Sequence, residues 1–476
     1  MKFNTLFIIG GLAFSLLIIS CSSFHQQTAK SYDVQDSIII RKIYDESLVK
    51  GQAYENLKVL CKEIGSRLSG SEGAEKAVDW TYELMKGYGF DTVYKQAVMV
   101  PHWVRGNKEF AYFQSGFATQ EVPVTALGGS IATTKEGITA GIIEVQNFEQ
   151  LKKMDPSKVK GNIVFFNRPM DAKQIETFKA YGGCVDQRGS GAAEAAKMGA
   201  VATIVRSMNL RLDDYPHAGG MSYQEGVKKV PAAAISTNGA EALSKAIKEN
   251  SDTKFHLILS CKTLPDVESY NVIAELRGTE FPDEFMVVGG HLDSWDKGEG
   301  AHDDGAGVVQ SIEVLRIFKK LGIKPKRSLR TVLFMNEENG AKGAYAYADI
   351  AKKSNEKHIA AIESDRGGFA PRGFSVQGNA QEVAHIKQWS GLLKPYFLEK
   401  IEAGFGGVDI GPLKEQGTML IGYYPDPQRY FIHHHADTDV FEAVDERELE
   451  LGAASITSLF YLLDRYGVPQ KNLNVQ

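Results

Sequence analysis

Histidines and carboxylates follow several stretches of this sequence where buried strands are expected to end. The first stretch is the apolar run 285–288. His291 and Asp293 follow it, and a glycine-rich loop then leads to Asp303. In an open α/β sheet, the carboxyl ends of the strands form the crevice where ligands bind. A histidine followed by a carboxylate two residues later, and by another after a short loop, is a pattern typical of metal sites. A polar, solvated loop is the alternative interpretation.

The same kind of phrase recurs further along the chain. The recurrences are Glu337-Glu338 after a predicted strand at 330–335, Asp365 after a predicted strand at 357–362, and His433-His434-His435 near the C-terminus. One acidic strand end would mean little, but recurrence after successive strands of one sheet argues against chance. Neighbouring glutamates point in different directions, so one can bind a metal while the other faces substrate and water.

These residue types suit hydrolysis at two metal ions. Zinc is bound by histidine nitrogen and carboxylate oxygen. Two zinc ions about 3.5–4 Å apart polarise a scissile carbonyl and convert bound water to hydroxide near neutral pH. Such a site needs a bridging carboxylate, further ligands for each ion, and a free carboxylate as general base.

The elements that position these residues form an α/β protein of two domains. A chain of 476 residues exceeds the ~250–300 at which a single core stops growing. Strand and helix patterns over 36–123 stop at a region of short β-like pieces, 124–264, and resume over 265–476. We therefore predict a central mixed, mostly parallel sheet flanked by helices, into which a β-rich domain, 124–264, is inserted. Helical spacing covers 34–64, and Ser71 is a suitable cap for the next helix.

Composition excludes some classes of protein. The net charge is −5, and no basic run carries interleaved aromatics, so nucleic-acid binding is not expected. After Cys21, three cysteines remain, which allows at most one disulfide within the chain.

The N-terminal residues indicate a signal for export and are not expected to form part of the folded protein. Residues 1–20 combine Lys2 with an apolar segment and resemble a bacterial lipoprotein signal peptide that ends before Cys21. We therefore expect Cys21 to be lipidated, with 21–35 as a tether, and the protein to be anchored in the bacterial cell envelope, on the periplasmic side or in the outer membrane. An ordinary signal peptide that is cleaved elsewhere is the alternative.

Several phrases together resemble a known family, the cocatalytic two-zinc exopeptidases (aminopeptidase and glutamate-carboxypeptidase-like). They are Gly-Ser-Arg-Leu-Ser-Gly-Ser-Glu at 65–72, Gly-His-Leu-Asp-Ser-Trp-Asp at 290–296, Gly-Ala-His-Asp-Asp-Gly at 300–305, Glu-Glu-Asn-Gly at 337–340, Glu-Ser-Asp at 363–365 and the histidine-rich phrase that ends in Asp437-Thr438. The resemblance covers nearly all of the expected mature chain. It implies the zinc exopeptidase fold, with 124–264 as a protease-associated domain that roofs the site.

The resemblance also implies roles for individual residues. Two zinc ions per chain would share Asp303. His291 and Asp365 would complete the site of one ion, and Glu338 and His433 that of the other. Glu337 would act as general base on a zinc-bridging water, and Asp293 would hold the tautomer of His291. His433 is preferred because the family phrase places the ligand four residues before Asp437, and His435 is the alternative.

Some nearby residues have two interpretations. His302 is expected to be an ordinary loop residue, and Asp304 to cap the helix that follows. Asp409 could orient a substrate amine or belong to a turn. Arg429 and Tyr430 could line the pocket.

The expected function is hydrolysis of dipeptides or short peptides with free N-termini by a zinc metallopeptidase. The alternatives are a glutamate carboxypeptidase, a glutaminyl-cyclase-like acyltransferase with one zinc, and a non-catalytic peptide-binding lipoprotein. The expected partners are a peptide substrate and the membrane, through Cys21. A homodimer stays an open alternative.

Overall fold

The structure is a computed structural model that describes residues 33–469. The strands are β1 (Thr92–Val104), β2 (Phe110–Ser115), β3 (Ala118–Glu121), β4 (Val124–Ala126), β5 (Ile138–Val145), β6 (Ile163–Phe166), β7 (Ala202–Arg206), β8 (Ala232–Ile235), β9 (Lys254–Ile258), β10 (Lys262–Leu276), β11 (Phe281–His291), β12 (Arg327–Phe334), β13 (Lys357–Glu363), β14 (Pro371–Gln377), β15 (Lys400–Ala403) and β16 (Met419–Pro425). The helices are α1 (Val34–Lys50), α2 (Ala53–Val59), α3 (Glu72–Gly87), α4 (Phe148–Lys152), α5 (Pro156–Val159), α6 (Thr177–Gly182), α7 (Asp186–Lys197), α8 (Thr237–Glu249), α9 (Ala306–Lys320), α10 (Lys342–Lys353), α11 (Ala380–Lys387), α12 (Ser390–Leu393), α13 (Tyr430–His433) and α14 (Glu446–Tyr466).

The first sheet has the strand order β1-β10-β12-β11-β13-β16-β14-β15. Its centre, from β12 to β16, is parallel. Its flanks contain the antiparallel pairs β1–β10, β10–β12 and β16–β14. The α/β class is therefore confirmed. The sheet is mixed, as predicted, whereas the expectation that it is mostly parallel is not confirmed.

Helices cover both faces of this sheet, as the apolar runs in its strands predict. Met286 and Val288 on β11 pack into a core shared with α9 and α14, whereas Val287 between them packs with Tyr347 of α10 on the other face. The parallel strands β11, β12 and β13 therefore end at the same edge of the sheet, with His291 and Glu363 as the last residues of β11 and β13.

The N-terminal helices are only partly as predicted. The helical stretch expected over 34–64 is interrupted at Gly51 and Gln52, where α1 ends and α2 begins. Helix α3 begins as expected, because the Ser71 hydroxyl accepts a hydrogen bond from the backbone N–H of Ala74 at 3.2 Å.

The second sheet has the strand order β3-β2-β9-β5-β6-β7-β8-β4. All of these strands lie between β1 and β10 in the chain. The run β5-β6-β7-β8 is parallel, and helices α4 to α8 lie within the same stretch of chain. The expectation of a β-rich region missed most of these helices. The division of the chain into domains, and the protease-associated identity of 124–264, stay predictions.

The two sheets share apolar contacts. Trp295, in the loop after β11, packs with Trp103 and with residues of the second sheet. Phe369, Tyr430 and Phe431 pack against the other side of that sheet. Thr177 donates a hydrogen bond to the Pro427 carbonyl at 2.7 Å.

Three buried cysteines occur in residues 33–469, and each is unpaired. Along that part of the chain, no helix has the length and apolarity needed to span a bilayer. The predicted signal peptide, the lipidation site at Cys21 and most of the tether lie outside the described residues.

Candidate metal centre

One edge of the first sheet brings most of the predicted site residues together. His291 ends β11, Glu338 follows β12, and Asp365 follows β13 by two residues. Asp303 reaches the same place from the loop that precedes α9. The arrangement follows from the parallel order of these strands, whose carboxyl ends face one crevice.

His291, Asp303 and Asp365 form the first group of potential ligands. The His291 Nε2 atom lies 3.4 Å from Asp303 Oδ1 and 3.5 Å from Asp365 Oδ1. Its Nδ1 atom donates a hydrogen bond to the backbone carbonyl of Asp293 at 2.9 Å. That bond leaves the Nε2 lone pair directed at the two carboxylates, which is the tautomer that a metal-binding histidine needs.

His435, rather than His433, takes part in the second group. The His435 Nε2 atom lies 3.2 Å from Asp303 Oδ2 and 3.1 Å from Glu338 Oε2. His434 is more distant, with Nε2 at 4.0 Å from Asp303 Oδ2. Burial disfavours a charged imidazole here, yet Glu338 and Asp303 raise the pKa of His435 to about 9. Asp303 is therefore shared between the two groups.

The structure does not bring His433 to the carboxylates. This residue ends α13, and its Nδ1 donates to the Thr438 carbonyl at 2.8 Å. Its ring lies beside the ring of His302, with centroids 5.1 Å apart. The chain turns after α13, and His435 adopts a left-handed backbone conformation with φ of +62°. The turn directs His435, two residues later, at the carboxylates.

Asp293 contacts His291 mainly through its backbone carbonyl, which accepts from Nδ1 at 2.9 Å. Its Oδ1 atom lies further from the same nitrogen, at 3.9 Å. The carboxylate is fully buried and accepts three backbone hydrogen bonds, from Asn336 at 2.7 Å, Glu337 at 3.0 Å and Glu338 at 3.3 Å. Asp293 therefore fixes the turn that carries both glutamates.

Glu337 lines the same cavity as Asp303, Glu338 and Asp365. Burial raises its pKa well above the ordinary value, and Asp365 and Glu338 raise it further, against the opposing effect of His291. A carboxyl group with a raised pKa in a cleft is a candidate for proton transfer.

The cavity has a volume of about 380 Å³ and is lined from both sheets. Phe178, Tyr181 and Arg188 come from the second-sheet part of the chain. The Arg366 guanidinium lies over the rings of Phe178 and Tyr424, 5.1 and 5.2 Å from their centroids. The sequence reasoning missed Phe178, Tyr181 and Arg188, because no motif distinguishes them from other aromatic and basic residues nearby.

Of the other candidates near the histidines, only one lines the cavity. Tyr430 does so. Arg429 instead pairs with Glu448 and lies over the Phe369 ring, 4.8 Å from its centroid.

The loop residues have structural contacts. His302 is buried and stacks on Phe369, with centroids 4.1 Å apart. Asp304 accepts hydrogen bonds from the Gly307 N–H in the first turn of α9, at 3.0 Å, and from the His291 N–H at 3.1 Å, while Gly305 is the residue at the N-cap position. Asp409 is buried, with both carboxylate oxygens unpaired among the described residues. Burial, together with the adjacent Glu363, raises its pKa well above the ordinary value.

The donor set fits metal ions. The candidate ligand atoms of His291, Asp303 and Asp365 lie within 4.8 Å of one another, and so do those of Asp303, His434 and His435. Asp303 Oδ2 and Asp365 Oδ1 are buried and accept no hydrogen bond from residues 33–469. Leaving a buried carboxylate oxygen unpaired is costly, and a bound cation would remove that cost. Imidazole and carboxylate are donors that suit zinc.

Fold and site together define a hydrolytic metalloenzyme with an α/β sheet, and the comparisons with known proteins give its family. Residues 271–453 match the model of peptidase family M28. Carboxypeptidase Q from Mus musculus and carboxypeptidase Q from Homo sapiens are each 34% identical over 438 residues, which is 92% of this chain and 90% of the relative.

Solved structures agree with this match. A peptidase M28 precursor from Shewanella amazonensis is 32% identical and superposes with a TM-score of 0.88, covering 93% of this chain and 99% of that one. A zinc aminopeptidase from Bacillus subtilis, 19% identical with a TM-score of 0.63, covers 88% of this chain and 95% of its own and shares the fold. The chain belongs to peptidase family M28, and the prediction of a zinc metallopeptidase is confirmed.

Proposed function

We propose that this chain is a two-zinc exopeptidase that hydrolyses dipeptides or short peptides with free termini. One observation carries the proposal: two groups of histidine and carboxylate atoms share Asp303. His291 and Asp365 would complete one zinc site, and Glu338 and His435 the other.

Zinc, when bound, would polarise the scissile carbonyl and lower the pKa of a zinc-bound water to near neutral pH. The chain's own residues supply the proton transfer. Glu337 lines the cavity beside these ligands and is assigned to neither zinc site. Its carboxylate would take a proton from the attacking water and pass it to the leaving amine, because a carboxyl group with a raised pKa can hold that proton between the two steps.

The cavity wall supports a short substrate with a free carboxylate. Arg188 and Arg366 both line the cavity, and no carboxylate of residues 33–469 forms an ion pair with either. A guanidinium group is the natural partner of a carboxylate. Because Arg188 and the aromatic residues Phe178 and Tyr181 come from the second-sheet part, that part would roof the site, as the protease-associated prediction requires.

The other end of the substrate would meet acidic groups. Glu363 and Asp365 line the same cavity next to Gly407, and these carboxyl groups would favour a free α-ammonium group there. The effect of Glu363 would be electrostatic and not a direct bond, because its oxygens accept from the backbone N–H groups of Val408 and Ile410 at 2.7 and 2.9 Å. Asp293 and Asp409 are buried and do not line the cavity.

The experiment compares neutral dipeptides with their N-acetyl and C-amide forms in the zinc-loaded enzyme, with zinc per chain measured in parallel. We expect two zinc ions, fast cleavage of free dipeptides and slow cleavage of both blocked forms. Arg366→Met should abolish the discrimination against the amide. The matched control Arg372→Met, which removes an arginine paired with Asp426, should not. Equal rates for blocked and free peptides would refute the dipeptidase assignment.

The same measurements decide between the alternatives. A preference for acetylated peptides that end in glutamate would favour a glutamate carboxypeptidase. One zinc ion with cyclisation of N-terminal glutamine would favour the acyltransferase. Peptide binding without turnover would favour the non-catalytic lipoprotein.

We also propose that the mature protein is held at the cell envelope by lipidated Cys21. The support is the sequence around this cysteine, since the residue lies outside the described part of the chain.

A further inference from the structure

A loop of the second sheet reaches the proposed metal centre. Residues 217–219 lie between β7 and β8 and contact the segment that carries His435. The His217 Nδ1 atom lies 2.6 Å from the His434 carbonyl oxygen and donates a hydrogen bond to it. The Ala218 N–H donates to the His435 carbonyl at 2.9 Å, and the His435 Nδ1 atom lies 3.4 Å from the Ala218 carbonyl oxygen.

These contacts restrain His435, which does not lie on a strand of the first sheet. His291 ends a central strand, and a carbonyl of its own loop accepts from its Nδ1. His435, by contrast, follows α13 in a left-handed conformation with φ of +62°. A non-glycine residue in that region is typically strained by ~1–3 kcal/mol and persists only where its surroundings impose it.

The loop is also packed in place. His217 is buried, with 3% of its surface exposed. Gly219 adopts a φ of +129°, and a Cβ atom there would lie 2.5 Å from the Arg188 guanidinium. The Arg188 Nη1 atom in turn lies 3.4 Å from His435 Nδ1. The loop is therefore packed against Arg188, one of the residues that surround His435.

We propose that His217 and the Ala218 peptide group position His435 for metal binding, so that the second-sheet part is a structural component of the metal centre and not only its roof. The Ala218 carbonyl would select the tautomer in which His435 Nδ1 carries the proton, over the tautomer in which Nδ1 accepts from Arg188 Nη1. In the selected tautomer, Nε2 keeps its lone pair towards Asp303 and Glu338. Carbonyl partners of this kind fix the orientation of metal-binding histidines. The inference rests on the proposed function, in which His435 is a ligand.

The first experiment replaces the donor at His217 and measures zinc affinity of the full chain by competition with a chelator. His217→Phe removes the donor, whereas His217→Asn keeps an amide N–H near the position of Nδ1. Loss of a direct partner of a metal-binding histidine typically weakens metal affinity ~10–100-fold, and because His217 acts through the adjacent His434 carbonyl, a loss of about tenfold, the lower end of that range, is expected. We expect that loss for one of two zinc ions in His217→Phe, and recovery in His217→Asn.

The control is His358→Phe, which removes a buried histidine that is hydrogen-bonded to the Tyr347 hydroxyl at 2.7 Å, away from the metal centre. It should keep both zinc ions at wild-type affinity. Wild-type affinity in a folded His217→Phe, or equal losses in His217→Phe and His217→Asn, would overturn the proposal.

A second measurement needs no variant. Coupling between two sites is reciprocal, so zinc loading of the wild-type chain should slow hydrogen exchange of the Ala218 amide. Unchanged exchange at Ala218 would overturn the inference. A wild-type chain that binds no second zinc ion would instead refute the proposed function, so the two failures are distinguishable.

Discussion

Replacement of Asp293 by asparagine tests what fixes the general base. The carboxylate accepts from the backbone N–H groups of Asn336, Glu337 and Glu338. Asparagine has nearly the same shape but only one acceptor oxygen. If that oxygen keeps the bonds to Asn336 and Glu337, the Glu338 N–H faces an amide NH₂ group instead of an acceptor.

The magnitude follows from these three bonds. A buried N–H group left without a partner costs ~1–3 kcal/mol. The two remaining bonds change from charged to neutral type, and each loses about 1 kcal/mol, because bonds to charged groups contribute ~1.5–3 and neutral ones ~0.5–1.5 kcal/mol. The removal of a buried charge offsets part of this loss. We expect the turn to be destabilised by about 2–4 kcal/mol.

That change should appear mainly in turnover. A displacement of about 1 Å in a catalytic group can cost ~10²-fold in rate, so kcat of Asp293→Asn should fall about 10²-fold. Zinc binding by Glu338 should weaken, while the His291 group should keep its metal. The matched control is Asp296→Asn in the same loop, whose carboxylate pairs with Arg105 and not with the turn. A kcat within threefold of wild type, with both ions bound normally, would refute the reasoning.

Three further predictions concern other parts of the molecule. Glu337→Gln should lower kcat ~10²–10⁴-fold while both zinc ions stay bound, because it removes a proton acceptor and no ligand; near-normal kcat would contradict the assigned role. Burial lowers the pKa of His358 to about 4, so its stabilising effect is complete above pH ~6.5 and about 3 kcal/mol is lost as the pH falls towards 4. The free energies of unfolding of wild type and His358→Gln, measured in urea, should therefore converge over that pH range. A constant difference between the two proteins over the range would contradict the prediction. The wild-type protein should fractionate with membranes, since each buried methylene of an acyl chain contributes ~0.8 kcal/mol, and Cys21→Ser should not be processed as a lipoprotein; a mature N-terminus other than Cys21 would exclude the anchor.

Much of the metal centre was predictable because it depends on local sequence. The apolar runs that became β11, β12 and β13 are buried on both faces, and such strands need turns at their ends. Parallel strands bring these turns to one edge, so His291, Glu338 and Asp365 could be placed together without knowing the order of the sheet.

The contribution of the second sheet was not predictable in the same way. Arg188 and His217 lie in a region whose sequence shows turns and short apolar pieces but no metal motif. Their roles depend on how one sheet packs on the other, through contacts such as that of His217 with His434, which are more than two hundred residues apart in the chain. Pattern and spacing carry no information on that packing.

The choice between His433 and His435 shows where spacing stops being informative. Counting back from Asp437 assumes that the chain between ligand and aspartate has a fixed conformation. Helix α13 ends at His433, however, and the next residues form a turn in which His435 has a positive φ. In such a turn, a shift of two residues redirects a side chain completely. His433 contacts the Thr438 carbonyl and the His302 ring and not the carboxylates. His435 instead contacts Asp303, Glu338 and the Ala218 peptide group. Three consecutive histidines satisfy the same sequence pattern, and only the contacts from outside the segment distinguish them.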